Sequence, residues 1–459
     1  MKGLEGLARS AKEKLGLDYL EIRLEETVSH HLSFRGPELE EASHQIDRGG
    51  CVRALRGSGW GFSSFNRWEE LERRISEAAE LARVADRGER VILAPVQPVV
   101  DEVPAEVGED PAGVPLEEKK DILSAYNEII LGFGRGVATS LIRYFDRRTK
   151  LTFASSEGSL IVQERVDLGG AITAVAAREG TVRQVSVPFG SGRDFSVVRG
   201  LKEEVQQACA TASSLLAAPP APGGEMPVVL DPILSGVFVH EAFGHLSEAD
   251  GMHENPELEK TMRLGRVLGP PFLHIFDSGV EKGARGYLAY DDEGVRTEKT
   301  YLIREGRIVG RLHSRETAGK MGERPTGNAR ALSYRHPPIV RMRNTGIEPG
   351  EASLEDLLAE IEEGLYCAGF YGGETMGEMF TFTPQVAYRI RKGRIEEPVR
   401  EATLSGNVFH TLAAIEAIGR EVARRDDGGG CGKGGQAPLP VSHWCPPIRI
   451  ARCLVGGRR

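Results

Sequence analysis

His240-Glu241-Ala242-Phe243-Gly244-His245 sets two imidazoles five residues apart, with a carboxylate directly after the first. Imidazole nitrogen is a ready zinc ligand, and a catalytic zinc keeps three protein ligands and one open position for water. A glutamate beside such an ion can take a proton from that water. In the pattern H-E-x-x-H the histidines stand four apart and share one helical face. This segment has one residue more. Five residues leave the two rings about 140° apart on an ideal helix, at about 100° per residue. A regular helix therefore cannot bring both imidazoles to one ion. A π-bulge absorbs one extra residue and is common at functional sites, and Gly244 is where the backbone has room to give.

The flanks predict the helix that must carry these groups. Asp231-Pro232 supplies a capping carboxylate followed by proline at the first helical position. Ile233, Leu234, Val237, Phe238, Phe243 and Leu246 make the helix apolar over much of its surface, so it is expected to be buried, with Gly251 as its stop. Buried imidazoles and a buried carboxylate need partners, and core hydrogen bonds alone are one way to supply them. The chemical reading needs a third donor. Nearby candidates are Glu248, Asp250 and His253; distant ones are Cys367, Cys431, His443, Cys445 and Cys453. Glu248 has a second possible role, holding a ligand histidine from behind. Cys431 stands out within Asp427-Gly428-Gly429-Gly430-Cys431-Gly432-Lys433-Gly434-Gly435-Gln436, where glycines let the backbone bring sulfur close to another element. A flexible loop with an incidental cysteine is the plainer alternative. A phosphate-binding loop is excluded, because Asp427 stands where its first glycine belongs and Gly434 where it needs Ser or Thr. Cys445 and Cys453 read as small buried hydrophobes.

The rest of the chain must position these residues. Its 459 residues suggest two or three domains. A net charge of -9 with mixed signs argues against nucleic acid as a partner. No run approaches the ~20 apolar residues of a membrane span. Residues 1–17 carry charge throughout and lack a signal-peptide core. Six irregularly spaced cysteines do not form a secreted disulfide framework, so a cytoplasmic location is expected.

Periodicity divides the chain into an N-terminal α+β unit (1–93), a proline-rich linker or strap (94–115), a second α+β unit (116–217), a Pro/Gly linker (218–226) and a C-terminal β-rich domain (227–459). In the first unit Leu4, Leu7, Ala8, Ala11 and Leu15 recur at helical spacing. Leu20, Ile22 and Leu24 alternate as in a half-buried strand, and Arg48-Gly49-Gly50 and Gly57-Ser58-Gly59 read as hairpin punctuation. The second unit predicts five short strands within 141–188, between two helices. In the last domain Tyr301–Ile308 and Val386–Ile395 read as hairpins. One helix starts after Ser353 and ends near Gly364, and another covers 408–422. Many hairpins after one buried helix predict a curled or closed, barrel-like antiparallel sheet around it.

Four ordered segments carry a family resemblance: the His240–His245 stretch with Glu248 and Asp250; Tyr290-Asp291-Asp292-Glu293-Gly294-Val295; Pro325-Thr326-Gly327-Asn328-Ala329-Arg330 with Tyr334-Arg335-His336-Pro337-Pro338; and Cys431-Gly432-Lys433-Gly434-Gly435-Gln436. Asp47-Arg48-Gly49 and Gly59-Trp60-Gly61-Phe62 add to it. On these the chain resembles the TldD/PmbA metallopeptidases, on the TldD side, over nearly its whole length. The resemblance implies zinc held by His240, His245 and Cys431, with Glu241 as general base. It implies cleavage of flexible peptides admitted to an enclosed chamber. It also implies assembly as a homodimer or as a heterodimer with a PmbA/TldE-like chain. The segment Val441-Ser442-His443-Trp444-Cys445-Pro446-Pro447 departs from the family's small-residue pattern and bears on substrate preference.

Tyr334, His336 and His443 are the candidate donors for an oxyanion. Two other readings compete. A dipeptidyl peptidase III-like enzyme also carries the extra residue but takes a glutamate as third ligand, and Leu357–Glu363 has the acids without that family's pattern. A non-catalytic subunit of a peptidase assembly is the other.

Overall fold

The fold is that of a computed structural model, which describes residues 3–88, 90–253, 255–423, 426 and 428–456, the side chain of residue 253 excepted. Helix α1 (Leu4–Leu15) buries Ala8 and Ala11 and ends at Gly16. A long hairpin follows, β1 (Tyr19–Arg35) with β2 (Glu38–Arg56), then β3 (Gly59–Phe65) and α2 (Leu71–Ala85). The proline-rich strap contributes β4 (Val100–Val103), which pairs in parallel with one end of β6. Next come α3 (Leu116–Gly132), β5 (Val137–Ser155), β6 (Leu160–Arg178), β7 (Thr181–Ser191) and α4 (Lys202–Leu215). Because β1 pairs with β5, all seven strands form one sheet, in the order β3-β2-β1-β5-β6-β4, with β7 on the other end of β6.

This sheet has fewer and longer strands than the sequence pattern predicts. The five short strands expected within 141–188 are three, and the polar or glycine residues that interrupt the pattern stay in register. Asp167 is fully buried there, paired with Arg147 and Arg285 at 2.7 Å each. A β-carbon on Gly170 would stand 2.1 Å from the Arg143 carbonyl oxygen. Arg48-Gly49-Gly50, expected at a turn, lies inside β2, where a β-carbon on Gly49 would stand 2.3 Å from the Tyr334 ring. These glycines mark close approach rather than reversal. Nor is the start of β1 half-buried: Glu21 and Arg23 are as buried as Leu20 and Ile22. The C-terminal domain covers that face, with Arg23 paired to Asp292 at 3.1 Å and Arg53 to Glu293 at 2.5 Å.

Strand β8 (Gly224–Leu230) leads into α5 (Pro232–Val239). Around α5 the strands Glu363–Met376, β8, Ile448–Gly456, Thr403–Asn407 and Met379–Arg391 pair in succession, and the last pairs with the first. The expected barrel is closed, with one parallel pair, β8 beside Glu363–Met376. Phe238 of α5 meets Phe380 and Phe382 of the barrel edge-on, at ring separations of 5.4 and 6.4 Å. Both expected hairpins form. Ser353 caps the helix Leu354–Ala359, which ends before Gly364. The helix expected over 408–422 stops at Ala413, because Ile415–Ile418 is a strand against Ile448–Gly456, with Ile415 and Ile418 buried.

A smaller sheet lies beside the barrel. Ile275–Ser278 pairs with Lys299–Arg304 and with Asn344–Ile347, which runs parallel to Ser442–Trp444. Among the described residues no helix is long and apolar enough to cross a membrane.

Candidate metal centre

The Asp231 side chain accepts the Leu234 backbone N–H at 2.8 Å, so α5 starts where the sequence predicts. It remains α-helical to Val239 and then opens into a π-helical turn over His240–Gly244, followed by a 3-10 turn over His245–Ser247. The extra residue is thus absorbed between the two histidines, as their spacing requires. Gly244 itself is right-handed, with φ of -58°. Its role is room: a β-carbon there would stand 2.0 Å from Met342 Sδ. Gly244→Ala is expected to lower Tm and weaken zinc binding. The overlap costs about 1–3 kcal/mol, more than the ~0.5–1 kcal/mol that alanine gains in a helix. An unchanged melting curve, with and without zinc, would show that Met342 yields freely. The helix stop is not Gly251, which lies within the next short helix, Ala249–His253; Glu248 is the first extended residue.

One ligand atom each from His240, His245 and Cys431 lies within 4.8 Å of the others. Cys431 Sγ is 3.4 Å from His245 Nε2. Zinc bond lengths at a tetrahedral angle set such donors about 3.3–3.6 Å apart, so this pair fits zinc, and two imidazoles with one thiol are a suitable donor set. Burial lowers the His245 pKa, but hydrogen bonds with Cys431 and Glu248 more than reverse this and hold it up at about 10. Burial raises the Cys431 thiol, yet the His245 contact and the Arg341 charge bring it below its ordinary value.

Each donor is held from behind. His245 Nδ1 bonds Glu248 Oε2 at 2.9 Å, which turns Nε2 toward Cys431. Glu248 is buried; burial raises its carboxyl, but His245 and Lys433 hold it below the usual range. Lys433 Nζ bridges Glu248 Oε2 at 3.0 Å and Asp250 Oδ1 at 2.7 Å. His240 Nδ1 lies 3.5 Å from Thr345 Oγ1, which donates to Asp277 Oδ1 at 3.2 Å. The Cys431–Lys433 strand turns back on Gln436–Leu439 through Gly434 and Gly435, at φ of 58° and 76°. Fully buried Arg341 donates to the carbonyl oxygens of Cys431 and Gln436 at 2.7 and 3.0 Å. Lys433 follows Cys431 closely in sequence, but Thr345, Asp277 and Arg341 carry no motif that marks them.

Glu241 is partly exposed, with Oε2 3.8 Å from His245 Nε2. It borders two clefts, one of about 320 Å³ with His240, Cys431 and His443, the other of about 360 Å³ with His245 and Lys433. The other candidates divide. His443 stands opposite Thr345 in the parallel pairing, its ring 4.9 Å from that of His240. Tyr334 and His336 instead join the two halves: Tyr334 donates to Asp47 at 3.0 Å, and the His336 carbonyl oxygen accepts Arg23 at 2.7 Å. Asp250 is taken by Lys433. Cys367, Cys445 and Cys453 are buried away from the cluster, their thiols pushed up by burial, Cys445 and Cys453 to about 12. The His253 side chain lies outside the described residues.

Three family models match the chain: PmbA/TldA metallopeptidase domain 1 over residues 20–82, the central domain over 109–216 and the C-terminal domain over 223–457. The chain belongs to the TldD/PmbA metallopeptidase family. A metalloprotease of Synechocystis is 46% identical to this TldD/PmbA member over 96% of this chain and 95% of its own length. A zinc metalloprotease TldD homolog of Saccharolobus solfataricus is 32% identical over 97% and 98%. TldE from Thermococcus kodakarensis shares the fold, with a TM-score of 0.77 at 20% identity over 99% of this chain and all of its own.

Proposed function

We propose that this chain is a zinc peptidase that cuts flexible peptides or unfolded segments, with His240, His245 and Cys431 as the metal ligands and Glu241 as the general base. The observation that carries the reading is the convergence of these four side chains from two distant parts of the chain, at a position that opens into a cleft on either side of Glu241. A zinc ion held by His240, His245 and Cys431 would supply Lewis-acid chemistry, polarising a scissile carbonyl and lowering the pKa of a water toward ~7. Glu241 takes a proton from the attacking water and delivers it to the leaving amine. Glu248 and Thr345 fix the ring orientations, and Arg341 fixes the cysteine strand. Flexible substrates suit clefts walled by strands and glycines, where an extended chain reaches the centre more readily than a folded domain.

Purified protein is expected to contain about one zinc per chain and to cleave a short unstructured peptide. Chelation should abolish cleavage and lower Tm, since a bound ligand stabilises the folded state, and zinc should restore both. Cleavage that survives removal of all metal sinks the proposal. The glutamate-ligated alternative has no support in the cluster, which among the described residues contains no carboxylate.

We also propose two-subunit assembly, as a homodimer or with a PmbA/TldE-like chain; the shared fold with TldE supports it. Sedimentation at the mass of one chain, both alone and mixed with such a partner, overturns this.

A further inference from the structure

We propose that the cleft on the α5 side of Glu241 is a subsite for a bulky apolar side chain, so that the enzyme cuts beside aliphatic or aromatic residues. This rests on the peptidase reading above and names its substrate class. Ile233 and Val237 precede Glu241 by eight and four residues on α5, so the helical face that presents the base also presents an apolar wall. Phe370 faces the cleft from the barrel, Val441 from the strand region after Cys431, and Ala171 and Pro188 from the N-terminal sheet. The space is about 320 Å³, within the range of pockets that enclose small groups. Among the described residues that line it, Glu241 is the sole carboxylate, and there is no lysine or arginine.

The cleft is preformed. The Ser186 N–H donates to Gln385 Oε1 at 2.9 Å, and Gln385 Nε2 donates back to the Ser186 carbonyl oxygen at 3.0 Å. One side-chain amide thus joins β7 to the barrel as a neighbouring strand would. The cleft on the other side of Glu241 has a different character, with Glu374, Thr375, Lys433 and three glycines. In the first cleft an acidic side chain loses water and meets no lysine or arginine among the described residues, and a basic one meets no carboxylate but Glu241, the proposed base, whereas an apolar one gains by burial. The preference is therefore one-sided.

The test uses zinc-loaded protein and a set of flexible peptides identical except for Gly, Leu, Phe, Asp or Lys at one position, with cut sites mapped by mass spectrometry. Cleavage is expected next to Leu and Phe, with kcat/KM at least about tenfold above the Gly, Asp and Lys peptides. Ile233→Lys, at a half-buried position, is expected to move the preference toward the Asp peptide. Phe370→Ala, on a separate element, is expected to narrow the Leu and Phe advantage. Equal cleavage across the set overturns the subsite and leaves the peptidase reading intact. So does a preference that neither variant alters. Failure to cleave any peptide, both alone and with a PmbA/TldE-like chain, removes the peptidase reading itself, and the subsite with it.

Discussion

Glu241→Gln is expected to keep the protein folded and zinc-loaded while lowering kcat by about 10²–10⁴-fold, the usual share of a positioned acid–base group. Glutamine matches glutamate in shape, so the π-helical turn and the packing of Phe243 against the barrel interior persist. What is lost is an oxygen that can accept a proton beside His245, from which Glu241 Oε2 lies 3.8 Å away. Because Glu241 is half open to two clefts rather than locked in the core, no buried partner is orphaned by the change. The loss should fall on kcat with KM little altered, as for a group that acts in the transition state. Zinc stoichiometry and Tm, measured on the same sample, separate this from misfolding. Normal turnover in Glu241→Gln places the base elsewhere.

The centre was more legible in the sequence than the frame that holds it. Two histidines five apart with an intervening glycine demand a local distortion, because 3.6 residues per turn is fixed by backbone geometry. The π-helical turn over His240–Gly244 follows from counting. Cys431 was legible as a candidate from its glycines, and its place beside His240 and His245 only through the family resemblance. The partners behind these donors were not legible. Asp277 and Thr345 come from two short strands whose pairing sets them together, and nothing local in either segment signals it. The long strands were misread for a related reason. Asp167 and Gly169 break an apolar pattern that assumes a sheet face meets only solvent or core. Here that face meets Arg285 and the loop at Gly428: a β-carbon on Gly428 would stand 2.5 Å from the Gly170 carbonyl oxygen. Polar and glycine positions that look like interruptions are where the second half of the molecule docks. The Asp291-Asp292-Glu293 and Tyr334–His336 segments, quoted for the family, serve that same seam.

Cys431→Ser tests the most distant of the proposed ligands, and it is expected to weaken zinc binding by on the order of 100-fold or more. Loss of a supporting partner alone costs about 10–100-fold, and a direct ligand costs no less. Serine keeps the size and the backbone. The strand should remain in place, because Arg341 holds it through the carbonyl oxygens of Cys431 and Gln436, and Gly434 and Gly435 supply the turn. The change is therefore confined to one atom, from a thiol that His245 and Arg341 already draw toward thiolate to a hydroxyl that stays protonated. Competition with a chromophoric chelator measures the affinity directly. The metal-free protein should also lose some stability, since His245 gives up its 3.4 Å contact with the Cys431 sulfur. That second readout matters. A variant that keeps full zinc affinity but melts lower would make Cys431 a packing partner of His245 and move the third ligand to another residue. One that loses zinc while its metal-free form melts only slightly lower would make the Cys431 sulfur a direct ligand of the metal.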